Sequence, residues 1–110
     1  MLSFAEFDSL VEPILVSKGC DSVAGGDCHG GGIQGTFRLS PPGAKNAQLD
    51  FDQASFQVSI NPRTSSRLLT KPLKVSAGGT MHGGGNDFFP DTTDADYQAI
   101  LKWINDGVVQ

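Results

Sequence analysis

Apolar side chains recur every three or four residues at the two ends of the chain, and between those ends glycine and proline break the rhythm. Near the N-terminus Phe4, Phe7, Leu10, Val11, Ile14 and Leu15 line one face of a helix over about residues 3–17. Ser3 and Glu6 stand at the spacing of a capping box. Pro13 falls inside this helix and should bend or break it, because its ring removes a backbone donor and crowds the preceding turn. Gly19 sits where a helix C-cap belongs, which delivers Cys20 just past the helix end. Toward the C-terminus Tyr97, Ile100, Leu101 and Ile104 form a second apolar stripe, with Trp103 beside it. Thr93 is placed to cap that helix, Asp94 and Asp96 favour its first turn, and Gly107 is placed to end it.

The middle of the chain predicts smaller pieces. Residues 21–35 hold only Val23, Ala24 and Ile33 as apolar residues besides Cys28, so this stretch cannot bury itself and needs something to wrap around. Residues 36–39 alternate polar with apolar, a short extended segment before the Pro41-Pro42 stop. Phe51, Ala54, Ser55 and Val58 fit one face of a short helix opened by Asp50 or Asp52 and closed by Asn61-Pro62. Residues 64–71 predict a third helix with Leu68 and Leu69 turned inward and Pro72 at its end. Leu73 and Val75 make a short alternating piece, a candidate partner for the segment around Phe37. Residues 77–86 return to glycine, where backbone could approach a large flat ligand closely. The pattern is all-α with long glycine-rich loops, and 110 residues supply one core, so residues 1–110 are expected to form a single domain.

Charge narrows the partners. Eight Lys and Arg against twelve Asp and Glu give a net charge of -4, with no basic run, so neither nucleic acid nor an anionic membrane surface is an expected partner. No apolar run approaches the roughly 18 residues of a membrane span. The N-terminus lacks a basic region followed by an apolar one, as in a mature protein or an excised domain. A domain this small gains from a staple or a buried cofactor.

Candidate chemistry concentrates between Cys20 and Gly32, in CDSVAGGDCHGGG. That stretch holds both cysteines, one of the two histidines and five of the fourteen glycines. Cys28 followed directly by His29 is the second half of the c-type haem attachment signature, in which two sulfurs bond the haem vinyl groups and the histidine binds iron. Seven residues separate the cysteines, where the usual signature has two. The longer loop costs on the order of 1 kcal/mol in closure entropy, and Gly25-Gly26 can turn it. A Cys20–Cys28 disulfide is the bland alternative, and either bond implies a compartment outside the reducing cytosol. Cys20, Cys28, His29 and His82 also make a zinc ligand set, although adjacent Cys28 and His29 rarely both reach one tetrahedral ion. The HGGG words at residues 29–32 and 82–85 resemble an oxyanion-hole motif of esterases, but no Gly-x-Ser-x-Gly elbow accompanies them. Cys28 has no third residue at a nucleophile's spacing. No enzyme is expected. Asp87, Asp91, Asp94 and Asp96 read as solvated residues around a helix start, while Trp103 and Phe37 suit either a haem pocket or plain core.

The order of an amphipathic helix, Cys20 to His29 at its end, small helices, a Met-His-glycine loop and a final helix with Trp103-Ile104 resembles the cytochrome c fold over nearly the whole chain. "EPIL" before the first cysteine, "HGGG" in the late loop and "YQAILKWINDG" at the end are similar to haem-binding domains of planctomycete and myxobacterial proteins. That resemblance implies one haem c bonded through Cys20 and Cys28, with His29 as the proximal iron ligand. It implies single-electron transfer with redox partner proteins in a periplasmic or extracellular setting. The distal ligand is Met81 or His82. Methionine is usual for the fold, yet His82 and its three glycines repeat the pattern after His29, so His82 is favoured. A haem-free, disulfide-stapled extracytoplasmic interaction module is the alternative.

Overall fold

The computed structural model describes residues 2–18, 20, 29, 37–59, 63–79 and 88–108. Expectations for Gly19, Cys28, Met81, His82 and the remainder of the two glycine-rich loops lie outside the described residues. Helix dominates what is described, as in an all-α chain, and no strand forms among these residues. The chain divides into two compact units, Phe4–Phe56 and Met1–Ser3 with Gln57–Gln110.

In the unit Phe4–Phe56 the first helix is laid down in three consecutive pieces. These are α1 (Phe4–Glu6), a π-helical segment (Phe7–Val11) and α2 (Glu12–Ser17). Pro13 explains the middle piece. It cannot donate to the helical ladder, and the wider π turn just before it lets the Glu12 N–H reach back five residues to the Phe7 carbonyl. The expected break is thus an expansion within a continuing helix. Phe7, Val11, Ile14 and Leu15 are buried with Leu39 and Ala54. Phe51 presents its ring to the edges of Phe4 and Phe7, with centroids 5.5 and 5.6 Å apart.

The second helix of this unit, α3 (Ala47–Ser55), starts earlier than the expected Asp50 or Asp52. Asn46 is its cap, its side-chain oxygen accepting the Leu49 N–H at 3.1 Å. Asp50 is instead an interior residue of the helix and fully buried. The helix ends at Ser55, before Asn61-Pro62 is reached.

In the unit that contains residues 57–110, a 3-10 turn (Arg63–Ser65) precedes α4 (Arg67–Thr70), so the third expected helix forms with an interruption. Ser66 is the reason. Its buried hydroxyl accepts the Ser59 N–H at 2.8 Å and donates to the Ser59 carbonyl at 3.2 Å, which holds the incoming chain against the start of α4. Leu68 and Leu69 turn inward as their spacing requires.

Leu73 forms an isolated parallel bridge with Phe89, a correction to its proposed pairing near Phe37. Lys74 N–H donates to the Phe89 carbonyl and Phe89 N–H to the Pro72 carbonyl. A 3-10 turn (Val75–Ala77) follows and closes on Gly78 at φ +106°. The last helix, α5 (Ala95–Val108), buries Tyr97, Ile100, Trp103 and Ile104 and includes Gly107 rather than ending before it. Its cap is Asp94, whose Oδ2 accepts from the N–H groups of Asp96 and Tyr97 at 3.0 and 3.1 Å. Thr93, the expected cap, is turned back to Asp91 Oδ1 through both its N–H and its hydroxyl. Trp103 belongs to the buried face, and its Nε1–H donates to the Ser3 carbonyl at 2.9 Å. No helix among the described residues is long and apolar enough to cross a membrane.

Candidate functional site

The end of α2 fixes Cys20. Lys18 N–H donates to the Ile14 carbonyl, and Cys20 N–H reaches back to the Leu15 carbonyl at 2.9 Å. That five-residue reach is the outer bond of a Schellman-type helix end, so the helix hands Cys20 to the following loop in a defined place. The Cys20 carbonyl then accepts the His29 N–H at 2.9 Å, closing the loop between the two residues. Of the expected site residues, Cys20 and His29 are therefore brought together. Cys28, one peptide unit before His29, lies outside the described residues, as do Met81 and His82.

His29 is held at three further points by residues 37–39. Its carbonyl accepts the Leu39 N–H at 2.9 Å, its Nδ1 lies 2.6 Å from the Phe37 carbonyl oxygen, and the Phe37 ring packs against the imidazole with centroids 4.7 Å apart. A carbonyl oxygen can only accept, so Nδ1 carries a proton, and in the neutral ring Nε2 then carries the lone pair. That is the tautomer a metal-binding imidazole needs, held by the main-chain contact that commonly accompanies such ligation. The ring is half-buried.

A buried polar cluster stands behind this segment. Asp50 Oδ1 accepts the Ser40 N–H at 2.7 Å and Oδ2 accepts the Ser40 hydroxyl at 2.8 Å. Lys45 Nζ lies 3.0 Å from Asp50 Oδ2 and 3.7 Å from Glu12 Oε1, and it donates to the Ser40 carbonyl at 2.7 Å. Burial by itself would push the Asp50 carboxyl up. The Ser40 N–H, the Lys45 ammonium, the Glu12 side chain and the Ser40 hydroxyl together outweigh it and hold the carboxyl below its ordinary value.

Among the described residues no group of three or more His, Cys, Asp and Glu side chains could hold a metal ion, so a tetrahedral zinc site would depend on Cys28 and His82. A haem iron would take one imidazole nitrogen as ligand, and the His29 ring, held through Nδ1, fits that role.

Sequence reasoning missed the Phe37 carbonyl and the cluster of Glu12, Ser40, Lys45 and Asp50. No side-chain signal marks a carbonyl. Asp50 did carry one: it lies four residues before the buried Ala54, on the apolar stripe of α3, where a carboxylate must find donors. Comparison of the chain with protein-family models, curated proteins and solved structures returns no match.

Proposed function

We propose that this protein transfers single electrons through one covalently attached c-type haem, as an extracytoplasmic carrier in a cytochrome c-like domain. The observation that carries the reading is the His29 Nδ1–H donated to the Phe37 carbonyl, because it prepares Nε2 as an iron ligand in a residue that directly follows a cysteine. When bound, the haem would supply a reversible one-electron change at iron.

The chain's own residues do the rest. Cys20 and Cys28 would hold the group, each through a thioether made by addition of its thiol across a vinyl group with no leaving group. His29 would be an iron ligand, and its three backbone and side-chain hydrogen bonds restrain the residue against rotation. The Phe37 ring covers one side of the imidazole and limits access of water to it. His82 is the favoured distal ligand and Met81 its competitor, both on the sequence argument. Redox proteins are the expected partners, and a periplasmic or extracellular location follows from the sulfur chemistry.

The test is absorption and mass on chain produced alongside a c-type maturation system. A Soret band, resistance to acid-acetone extraction and a mass one haem above that of the chain are expected. Their absence from correctly matured protein would sink the reading and leave the disulfide-stapled interaction module in its place.

A further inference from the structure

Residues 37–40 run extended and sort their backbone bonds by parity. Phe37 and Leu39 face His29, the first through its carbonyl and the second through its N–H. Arg38 and Ser40 face α3, their N–H groups donating to Gln53 Oε1 at 3.0 Å and to Asp50 Oδ1 at 2.7 Å. Gln53 and Asp50 are three residues apart on α3 and so project from the same side of it. The segment is thus a strap between a helix and a histidine.

The Asp50 end of the strap is the stronger one. Ser40 donates its N–H and its hydroxyl to the two oxygens of one buried carboxylate, its carbonyl accepts from Lys45, and its hydroxyl oxygen accepts the Asn46 N–H at 2.8 Å. Bonds to an ionised acceptor are roughly twice as strong as neutral ones, and burial shields them from competing water. The Gln53 bond is neutral and single. What is held at Ser40 is passed three residues along to the Phe37 carbonyl, which inverts the intrinsic preference of histidine for the Nε2–H form.

We propose that Asp50 is a positioning residue for His29: its carboxylate anchors the strap that keeps the Phe37 carbonyl on Nδ1, and so selects the tautomer with its lone pair at Nε2. The use of that lone pair for iron rests on the haem reading. The selection itself does not.

The test uses the full chain, 15N-labelled, with imidazole tautomers read by two-bond nitrogen-proton correlation at a pH where the rings are neutral. There are two histidines, so one further variant, His82→Gln, assigns the spectrum. In the unaltered chain without haem, His29 should be Nδ1–H. Asp50→Asn should convert a large fraction of it to Nε2–H. Ser40→Ala, which keeps the backbone bond and loses the hydroxyl, should convert a smaller fraction, and it decides the matter alone if Asp50→Asn does not fold. Ser66→Ala, a loss of equivalent hydroxyl bonds in the other unit, should convert none. A His29 that stays wholly Nδ1–H in the folded Asp50 and Ser40 variants, or that is Nε2–H from the start, overturns the proposal. In chain that carries haem, Asp50→Asn should raise the reduction potential, because an imidazole with a loosened Nδ1–H bond donates less to iron; an unchanged potential in the folded variant also overturns it. Failure of the haem reading shows separately, as no Soret band, and leaves the tautomer experiment intact.

Discussion

His29 joins Phe37 through its side chain where a sheet would use the main chain. In a parallel bridge between residues 29 and 38, the residue 29 N–H would donate to the residue 37 carbonyl and the residue 39 N–H to the residue 29 carbonyl. The second bond is present, but the first is made by the imidazole Nδ1 at 2.6 Å, while the His29 N–H goes to Cys20. One residue thereby closes the cysteine loop and fixes its own ring.

That arrangement makes the two cysteines unequal. Cys28 is joined to His29 by one peptide unit, whereas Cys20 is joined to it through a hydrogen bond across the loop. Cys20→Ala should retain covalent haem in a larger fraction of molecules than Cys28→Ala, as measured by intact mass after acid-acetone treatment. Equal loss in both variants would contradict the inequality.

For the distal ligand, His82 is expected over Met81. The oxidised protein should then lack the near-infrared charge-transfer band of a methionine-ligated haem, and Met81→Ala should leave the spectrum as it was. A band that vanishes in Met81→Ala would refute the histidine assignment.

Asp50 gives the chain an acid-sensitive element. Its carboxyl is held below the ordinary value in the folded chain and returns to about 3.9 on unfolding. The stability it contributes is therefore complete above that value and is lost as pH falls through the lower folded value. Asp50→Asn should cost about 3 kcal/mol at neutral pH, because the Lys45 ammonium and the two Ser40 donors lose a buried anion. The gap between the two proteins should narrow as pH falls below about 3.9. Urea unfolding over a pH series measures it; a gap that stays constant would mean the charge is not what holds Ser40.

Gly79 and Gly43 should respond differently to alanine. A β-carbon at Gly79 would sit 1.9 Å from the Leu73 carbonyl oxygen and 2.6 Å from its carbon, and these backbone atoms are held by the Phe89 bridge. Gly79→Ala should cost about 3 kcal/mol, the upper part of the overpacking range. At Gly43 the space is open and only the backbone at φ +111° objects, so about 1 kcal/mol is expected. Thermal unfolding of both variants distinguishes a steric penalty from a conformational one.

Trp103 and Phe56 are the contrasting aromatic pair. Trp103→Phe should cost about 2 kcal/mol, through lost ring volume and the lost bond to the Ser3 carbonyl. Phe56 is 77% exposed, so Phe56→Ser should lie within about 0.5 kcal/mol of the unaltered chain. Urea midpoints of the two variants check the ranking.

The two long helices were legible in the sequence because burial on one face imposes a three- and four-residue repeat that needs no knowledge of the partner surface. Phe7, Val11, Ile14 and Leu15 at one end, and Tyr97, Ile100 and Ile104 at the other, are buried as that repeat requires. Pro13 announced a disturbance for an equally local reason, its missing N–H. His29 stood out because it follows Cys28.

Tertiary structure decided what local chemistry leaves degenerate. Asn46, Asp50 and Asp52 can all accept at a helix start, as can Thr93 and Asp94. The path of the chain gave the caps to Asn46 and Asp94 and left Asp50 free to turn inward. A buried carboxylate is stable only where donors converge, and those around Asp50 come from residues 40 and 45, a meeting that the helical pattern of α3 does not display. Leu73 likewise found Phe89, sixteen residues away, because an extended segment carries no mark of its partner. The His29 tautomer was set by a main-chain oxygen, a group that every residue possesses and only the fold can aim.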